Sequence, residues 1–286
     1  MLIEVDSLPT NARSTRRTSR FWTPRAGALA RLQDALSGDV VLVRGPAGVG
    51  KTSLLRQFAA SLEDDPERGV QLLDGSHAAS ASVPRILEAF AEGPSIHILL
   101  IDNFTEDAGL STEDLLGMLR SDSALRIVVA TRLSTGLESP LVALEFDVQV
   151  IAPEDLRMTR DELATVLALN GVEASDPAID TLLDLTYGWP ALGQLAGTRL
   201  RLEGMALRTH DDAIAAARYA VSALTTDMEQ RLGLPVTDEM RLLAVAPYVT
   251  APLAEAIGMD TMVHYGNAAV FLSSGGYHHH IGANVW

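Results

Sequence analysis

The stretch Asp39-Val40-Val41-Leu42-Val43-Arg44-Gly45-Pro46-Ala47-Gly48-Val49-Gly50-Lys51-Thr52-Ser53-Leu54-Leu55-Arg56-Gln57-Phe58 decides the fold. It opens with a β-branched apolar run of strand length. After Ser53 the apolar residues recur at helical spacing. Between them lies G-x-x-x-x-G-K-T, in the strand–loop–helix setting that this motif needs in order to hold phosphate. The glycines let the backbone curl so that successive N–H groups converge on phosphate oxygens. The helix that follows turns its positive dipole end toward the same anion. Lys51 is placed to reach the β- and γ-phosphates, and the Thr52 hydroxyl to ligate Mg²⁺. The candidate nucleotide contacts are Gly45, Pro46, Ala47, Gly48, Val49, Gly50, Lys51, Thr52 and Ser53. Lys51 is also the only lysine of the chain, since 21 of its 22 Lys and Arg residues are Arg. At this position a compact ammonium serves where a planar guanidinium would not.

Such a loop needs a second strand ending in an acid that holds the magnesium shell. His97-Ile98-Leu99-Leu100-Ile101-Asp102 supplies one, with Asp102 as the second metal-side candidate. The next residue, Asn103, cannot accept a proton where many hydrolysing relatives of this motif place an acid to activate water. Glu106 and Asp107 are near in sequence and are the substitutes to consider. A third strand, Ala124–Ala130, exits at Thr131-Arg132, from where Arg132 can sense a γ-phosphate across the sheet. Val70–Asp74 and Val148–Ile151 complete five strands, with helices expected near 53–62, 83–92 and 111–120. Alternating strands and helices imply a parallel sheet with the nucleotide at its carboxyl ends.

Beyond Ile151 the period is helical. Thr159-Arg160-Asp161-Glu162 reads as a capping box, and that helix stops at Asn170-Gly171. Asp176-Pro177 opens a second helix that closes at Tyr187-Gly188, and Trp189-Pro190 opens a third. A fourth begins near Asp211. After Pro235, helices are expected near 238–246, 251–258 and 261–268. A hairpin follows, with arms 269–272 and 277–281. The triplet His278-His279-His280 would alternate faces on a strand, which argues against a joint metal site.

Composition sets the outer limits. A chain of 286 residues suggests two or three domains. Its 47% apolar and 21% charged residues are those of an ordinary globular protein. No apolar run approaches the roughly 18 residues that span a bilayer. The acidic start, Met1-Leu2-Ile3-Glu4-Val5-Asp6, is unlike a secretory signal, so a soluble cytoplasmic protein is expected. Zero Cys excludes disulfides, thiol nucleophiles and cysteine-built metal sites. A net charge of −15 argues against general nucleic-acid binding. Only the first 32 residues dissent, with six arginines against Glu4 and Asp6, which reads as a solvated basic arm.

In this order, Gly45–Thr52, Leu100-Ile101-Asp102-Asn103, Ala130-Thr131-Arg132, Asp155-Leu156-Arg157-Met158-Thr159 and Thr186-Tyr187-Gly188-Trp189-Pro190 resemble the nucleotide-binding core of STAND signal-transduction ATPases. The likeness is closest to large LuxR-type regulators related to the maltose-regulon activator, and it covers roughly 22–281. It implies an α/β fold: a P-loop NTPase parallel sheet, then a small helical domain and a winged-helix-like module. The corresponding spans are a basic arm 1–21, a P-loop domain 22–152, a helical domain 153–233 and a winged-helix-like module 234–286. The resemblance further implies that Pro190 packs on adenine while Gly188 and Trp189 shape the turn. Arg25 would line the other side of the base, and Arg132 would sense the γ-phosphate. Tyr277 and His280 match a Tyr–His element whose His touches bound diphosphate. The cofactors so implied are ATP or ADP with Mg²⁺.

The function implied is a switch: ADP holds a closed arrangement, and ATP favours self-association or protein partners. The family's C-terminal repeats and DNA-binding helix-turn-helix have no counterpart here, so DNA binding by this chain is not expected. An AAA-type ATPase working on DNA, of the origin-recognition or loader kind, would want an acid at 103 and a basic wing. A pseudo-ATPase scaffold that keeps its nucleotide for stability is a further alternative. A small-molecule kinase is disfavoured, for no acceptor lid or second arginine cluster is evident.

Overall fold

The structure, a computed structural model, describes residues 23–63, 65–77, 83–91, 95–106 and 109–232, and the segments 260–265, 269–273 and 281–284. Helix α1 (Ala26–Ala35) leads into β1 (Val40–Arg44), α2 (Lys51–Ser61), β2 (Arg68–Asp74), α3 (Val83–Ala91), β3 (Ile96–Phe104), α4 (Thr112–Ser121), β4 (Leu125–Thr131) and β5 (Val148–Ile151). Four helices follow: α5 (Arg160–Leu169), α6 (Asp176–Thr186), α7 (Pro190–Glu203) and α8 (His210–Leu232). Last come β6 (Asp260–Tyr265), β7 (Ala269–Ser273) and β8 (Ile281–Asn284). The chain forms two compact units, dividing between Ser222 and Ala223.

The five expected strands form one parallel sheet in the order β2-β3-β4-β1-β5. Its central strands are apolar on both faces because both are covered, as parallel sheets require. Val41 and Val43 of β1 point to one face, where they join Leu32 of α1 and Leu54, Leu55 and Phe58 of α2. Val40 and Leu42 point to the other, with Ile86 and Phe90 of α3 and Leu115 of α4. Alternate residues of one strand thus serve two separate cores.

A third core lies among α5 to α8. Helix α8 contributes only small side chains to it, among them Ala213, Ala216, Ala217 and Ala220, so it buries its face by close approach rather than by bulk. The capping box at Thr159 is formed as the sequence indicates. Thr159 Oγ1 accepts from the Glu162 N–H at 3.3 Å, and Glu162 Oε2 accepts from the Thr159 N–H at 3.0 Å. Removing one side of such a box costs about 1 kcal/mol. A Thr159→Ala variant is expected to lose that much in a urea titration, with the slope of the transition unchanged. No loss would mean that packing alone sets where α5 begins.

In the second unit, β6, β7 and β8 form an antiparallel sheet in that order. This corrects one expectation: 261–268 does not form a helix, because Asp260–Tyr265 is strand β6. Thr261, Val263 and Tyr265 are types that favour strands, and pairing with β7 satisfies the backbone in a way that six residues alone could not reveal. The return arm described is Ile281–Asn284. The expected helices at 238–246 and 251–258 lie outside the described residues, as does the basic arm 1–21. Among the described residues no helix is long and apolar enough to cross a membrane.

Candidate functional site

The strand order locates the site. From β1 the chain crosses to β2 at the far edge, while from β4 it passes over β1 to reach β5. Connections that leave in opposite directions open a crevice at the carboxyl ends of β1 and β4. Residues 45–50 sit there, and the Gly45 N–H donates to Thr131 O of β4 at 3.2 Å. Gly48 (φ 83°) and Gly50 (φ 95°) are left-handed, a conformation that L side chains rarely adopt. Gly50 forms the N-cap of α2, so the loop runs directly into the first turn of the helix. Thr52 and Ser53 lie half-buried in that turn.

Lys51 is buried, and its Nζ donates to Gly45 O at 2.6 Å and to Pro46 O at 3.0 Å. The ammonium thus bridges the loop from within. Its pKa is lowered from the ordinary value of 10.5, first by burial and then by the charge of Arg132, with the Asp102 carboxylate acting the other way. That coupling places Lys51, Asp102 and Arg132 in one electrostatic neighbourhood. Arg132 itself is exposed and makes none of the ion pairs found among the described residues. Thr131, just before it, is buried, and its hydroxyl bonds both the Leu133 N–H and the Leu133 carbonyl, which fixes the exit from β4.

Asp102 is buried at a bulge in β3, where the register against β4 slips between Ile101 and Phe104. Its Oδ1 accepts from the Asn103 N–H at 3.0 Å. Asn103 carries the extra residue with a left-handed backbone (φ 55°) and an exposed side chain. That side chain stands beside Asp74, the last residue of the neighbouring strand β2. Burial works to raise the Asp74 carboxyl, but it is outweighed by hydrogen bonds from Ser76, the charge of His77 and the Asn103 amide, so its pKa is lowered. Asn tolerates the left-handed region and β-branched residues do not. Asn103→Gly is therefore expected to stay within about 0.5 kcal/mol of wild type, while Asn103→Val loses roughly 1–2 kcal/mol in denaturant unfolding. Equal stabilities would mean that the bulge carries no backbone strain.

Glu106, a substitute acid on sequence grounds, is engaged otherwise. Its Oε1 accepts from Thr112 Oγ1 at 2.6 Å and from the Gly136 N–H at 2.7 Å, pinning the β3–α4 loop to the segment after β4. Those two bonds hold its carboxyl below the usual range. Asp107 lies outside the described residues.

The helical part of the first unit closes over the loop. Gly188 (φ 63°) is wedged against the chain before α5: its carbonyl accepts from the Met158 N–H at 2.6 Å, and a Cβ there would stand 2.7 Å from Met158 O. From that fixed point Trp189, Pro190 and Ala191 reach the phosphate loop. The Ala191 N–H donates to Gly48 O at 3.0 Å. A Cβ on Gly48 would lie 2.8 Å from the Ala191 Cβ, and one on Gly50 would lie 3.7 Å from Pro190 Cγ. Gly188, Pro190 and the loop glycines, far apart in sequence, are thus assembled together.

Arg25 joins them. Its Nη1 lies 3.2 Å from the position of a Cβ on Gly50. The rest of the guanidinium is committed elsewhere, for Nη2 donates to Leu156 O at 2.6 Å and to Arg157 O at 3.1 Å. Nε lies 3.2 Å from Glu162 Oε2, close enough to pair but off the angle of a hydrogen bond. The residues around it are not evident from the sequence. Gln57 of α2 accepts from the Arg25 N–H and donates to Thr23 O, and Gln194 of α7 donates to Thr23 Oγ1. Only the polarity of two glutamines on otherwise apolar helix faces hints at them. Tyr277 and His280 lie outside the described residues.

Among known proteins, a family model described as the AAA ATPase domain matches residues 22–245. No curated protein matches the chain. Similar solved structures include a mutant form of RuvB from Thermotoga maritima, at 20% identity over 83% of each chain and a TM-score of 0.48. A different mutant of the same protein is similar at 17% identity over 84% of this chain and 90% of that one, with a TM-score of 0.48. The FIGL-1 AAA domain in complex with ADP is similar at 15% identity over 82% of this chain and 85% of that one, with a TM-score of 0.44.

Proposed function

We propose that this chain, which belongs to the AAA ATPase domain family, is an ATP- and ADP-binding switch module of the STAND type, akin to the large LuxR-type regulators, with hydrolysis slow or absent. The observation that carries this reading is the seating of Trp189, Pro190 and Ala191 on Gly48 and Gly50. A nucleotide held by the loop would then touch the sheet and the helices at once. Its identity can bias how they sit together only through differential affinity for two arrangements.

The residues present suit a nucleotide. The glycine cradle is one that side chains would fill, and a single buried ammonium lies within it. In this reading Lys51 and the N–H groups of Ala47 to Ser53 bind the phosphates, with Gly45 and Pro46 shaping the loop, and Arg132 senses the γ-phosphate. Thr52 and Asp102 would hold Mg²⁺, which supplies charge neutralisation between phosphates when bound. Pro190 and Arg25 flank the base, and His280 is proposed as a further phosphate contact from the C-terminal part. The proposed organisation keeps a basic arm 1–21, a P-loop domain 22–152, a helical domain 153–233 and a winged-helix-like module 234–286. Self-association or a protein partner is the proposed output of the ATP state. Slow turnover follows from Asn103, whose amide cannot take a proton from water.

The test begins with purified protein, denatured so that any bound nucleotide is released and quantified, alongside titration of ADP and ATP. Bound or titratable adenine nucleotide with turnover well under about 1 s⁻¹ is the expected result. Neither released nucleotide nor binding on addition would remove the reading. Turnover of about 10 s⁻¹, ordinary for an enzyme, would replace the switch with a working ATPase.

A further inference from the structure

Trp189 does more than shape a turn. Its indole lies against the tip of the phosphate loop: a Cβ on Gly48 would stand 3.1 Å from Nε1 and 3.8 Å from Cδ1. That Nε1 is buried and has no hydrogen-bond acceptor. Its neighbours are all provided for. The Trp189 backbone N–H donates to Thr186 O, the Ala191 N–H to Gly48 O, and Lys51 Nζ to the Gly45 and Pro46 carbonyls. Buried donors are nearly always paired, and leaving one unpaired is costly. An indole has no second role to fall back on, since it is a donor only. Gly48 O accepts from Ala191 and those of Gly45 and Pro46 from Lys51, and none of the three accepts from the indole.

We propose that the Trp189 indole N–H is a direct hydrogen-bond donor to the phosphate chain of the bound nucleotide, contributed by the helical part of the unit. The assignment rests on the nucleotide-binding reading above. The acceptor class follows from the surroundings: a loop of inward N–H groups and a buried ammonium select an anionic oxygen, and phosphate oxygens are the acceptors such a loop collects. The position of the indole is set from both sides, by Gly188 wedged under Met158 and by Pro190 opening α7. The indole is therefore fixed in place before binding, and the loop tip at Gly48 shifts for a phosphate oxygen to reach its buried N–H. The helices would then recognise phosphate directly, and not only the base.

Titrate wild type and Trp189→Phe with ADP and, separately, with inorganic pyrophosphate, and compare their melting temperatures without ligand. Phe keeps an aromatic ring at the site and removes the N–H along with part of the indole's bulk, and the ligand-free melting temperature reports the loss of packing. Hydrogen bonds to charged groups are strong enough that affinity for both ligands is expected to fall about tenfold or more in the variant, with the ligand-free melting temperature within a degree or two. Wild-type affinity for both ligands in Trp189→Phe would overturn the assignment and leave Trp189 as packing. A loss for ADP with none for pyrophosphate would also overturn it, placing the indole on the base or ribose. If wild type binds neither ligand, the nucleotide reading itself fails, a result separate from either of these.

Discussion

A Lys51→Ala variant is expected to lose affinity for ADP and ATP by a hundredfold or more while its melting temperature stays within a few degrees of wild type. Each charge-assisted hydrogen bond to phosphate is worth about 1.5–3 kcal/mol, and an ammonium can make two. The stability side follows from linkage. Burial and Arg132 hold the folded pKa of Lys51 below the ordinary 10.5. Between the folded value and 10.5 the unfolded chain binds more protons, so stability rises with pH across that window. Below that window the charged Lys51 is a standing cost to the ligand-free fold. Removing it therefore offsets the two carbonyl bonds that are lost. A bound polyphosphate would remove the same cost by pairing the charge, so wild type should gain more thermal stability from ADP than the variant does. Calorimetry with scanning fluorimetry reads both quantities. A variant that binds within threefold of wild type, or one that unfolds outright, would contradict this account. Lys51→Arg is expected to fail nearly as badly, because a guanidinium is too broad for the space beneath the Gly45 and Pro46 carbonyls.

Arg25→Ala is expected to cost about 3–5 kcal/mol of folding stability, more than the loss of a surface ion pair ever does. Arg25 is buried and Glu162 largely so, with 6% of the Arg25 side chain and 11% of that of Glu162 exposed. Truncation removes the cation beside the Glu162 carboxylate, which keeps only its Thr159 N–H bond, and leaves the Leu156 and Arg157 carbonyls without this donor. The damage would spread, because Arg25 ties the start of α1 to the link before α5 and stands beside Gly50. Arg25→Lys is expected to recover only part of the loss, for an ammonium cannot span two carbonyls and a carboxylate as a fork does. A urea titration of the three proteins settles it. A loss under about 1 kcal/mol for Arg25→Ala, the range of an exposed pair, would show the pair to be solvated and the hub unimportant.

What the sequence conveys follows the range of the interactions concerned. The elements β1, the glycine loop and α2 are legible because strand, loop and helix signals are contiguous and each has its own chemistry. The capping box at Thr159 is legible for the same reason. The bulge at Asp102 and Asn103 is not, since it exists only in the pairing of β3 with β4. Arg25 stands out by likeness, yet the direction of its guanidinium depends on Leu156, 131 positions away. Trp189 reads as a turn residue because nothing local to Gly188-Trp189-Pro190 says that Gly48 lies beside it. Strand β6 reads as a helix because six residues hold too little periodicity, and its partner β7 decides the matter.

The buried bridge that Lys51 makes across its loop has a practical side as well. No other residue of this sequence carries an ε-amine, so every reagent or modifying enzyme that seeks one must enter the loop to find it. Proteolysis after lysine would cut the chain only at the 51–52 bond, and acylation of a side-chain amine would have only this target. The rate of either reaction becomes a clock for how often the loop opens, and a slower clock in the presence of a ligand would report occupancy without any label having been added.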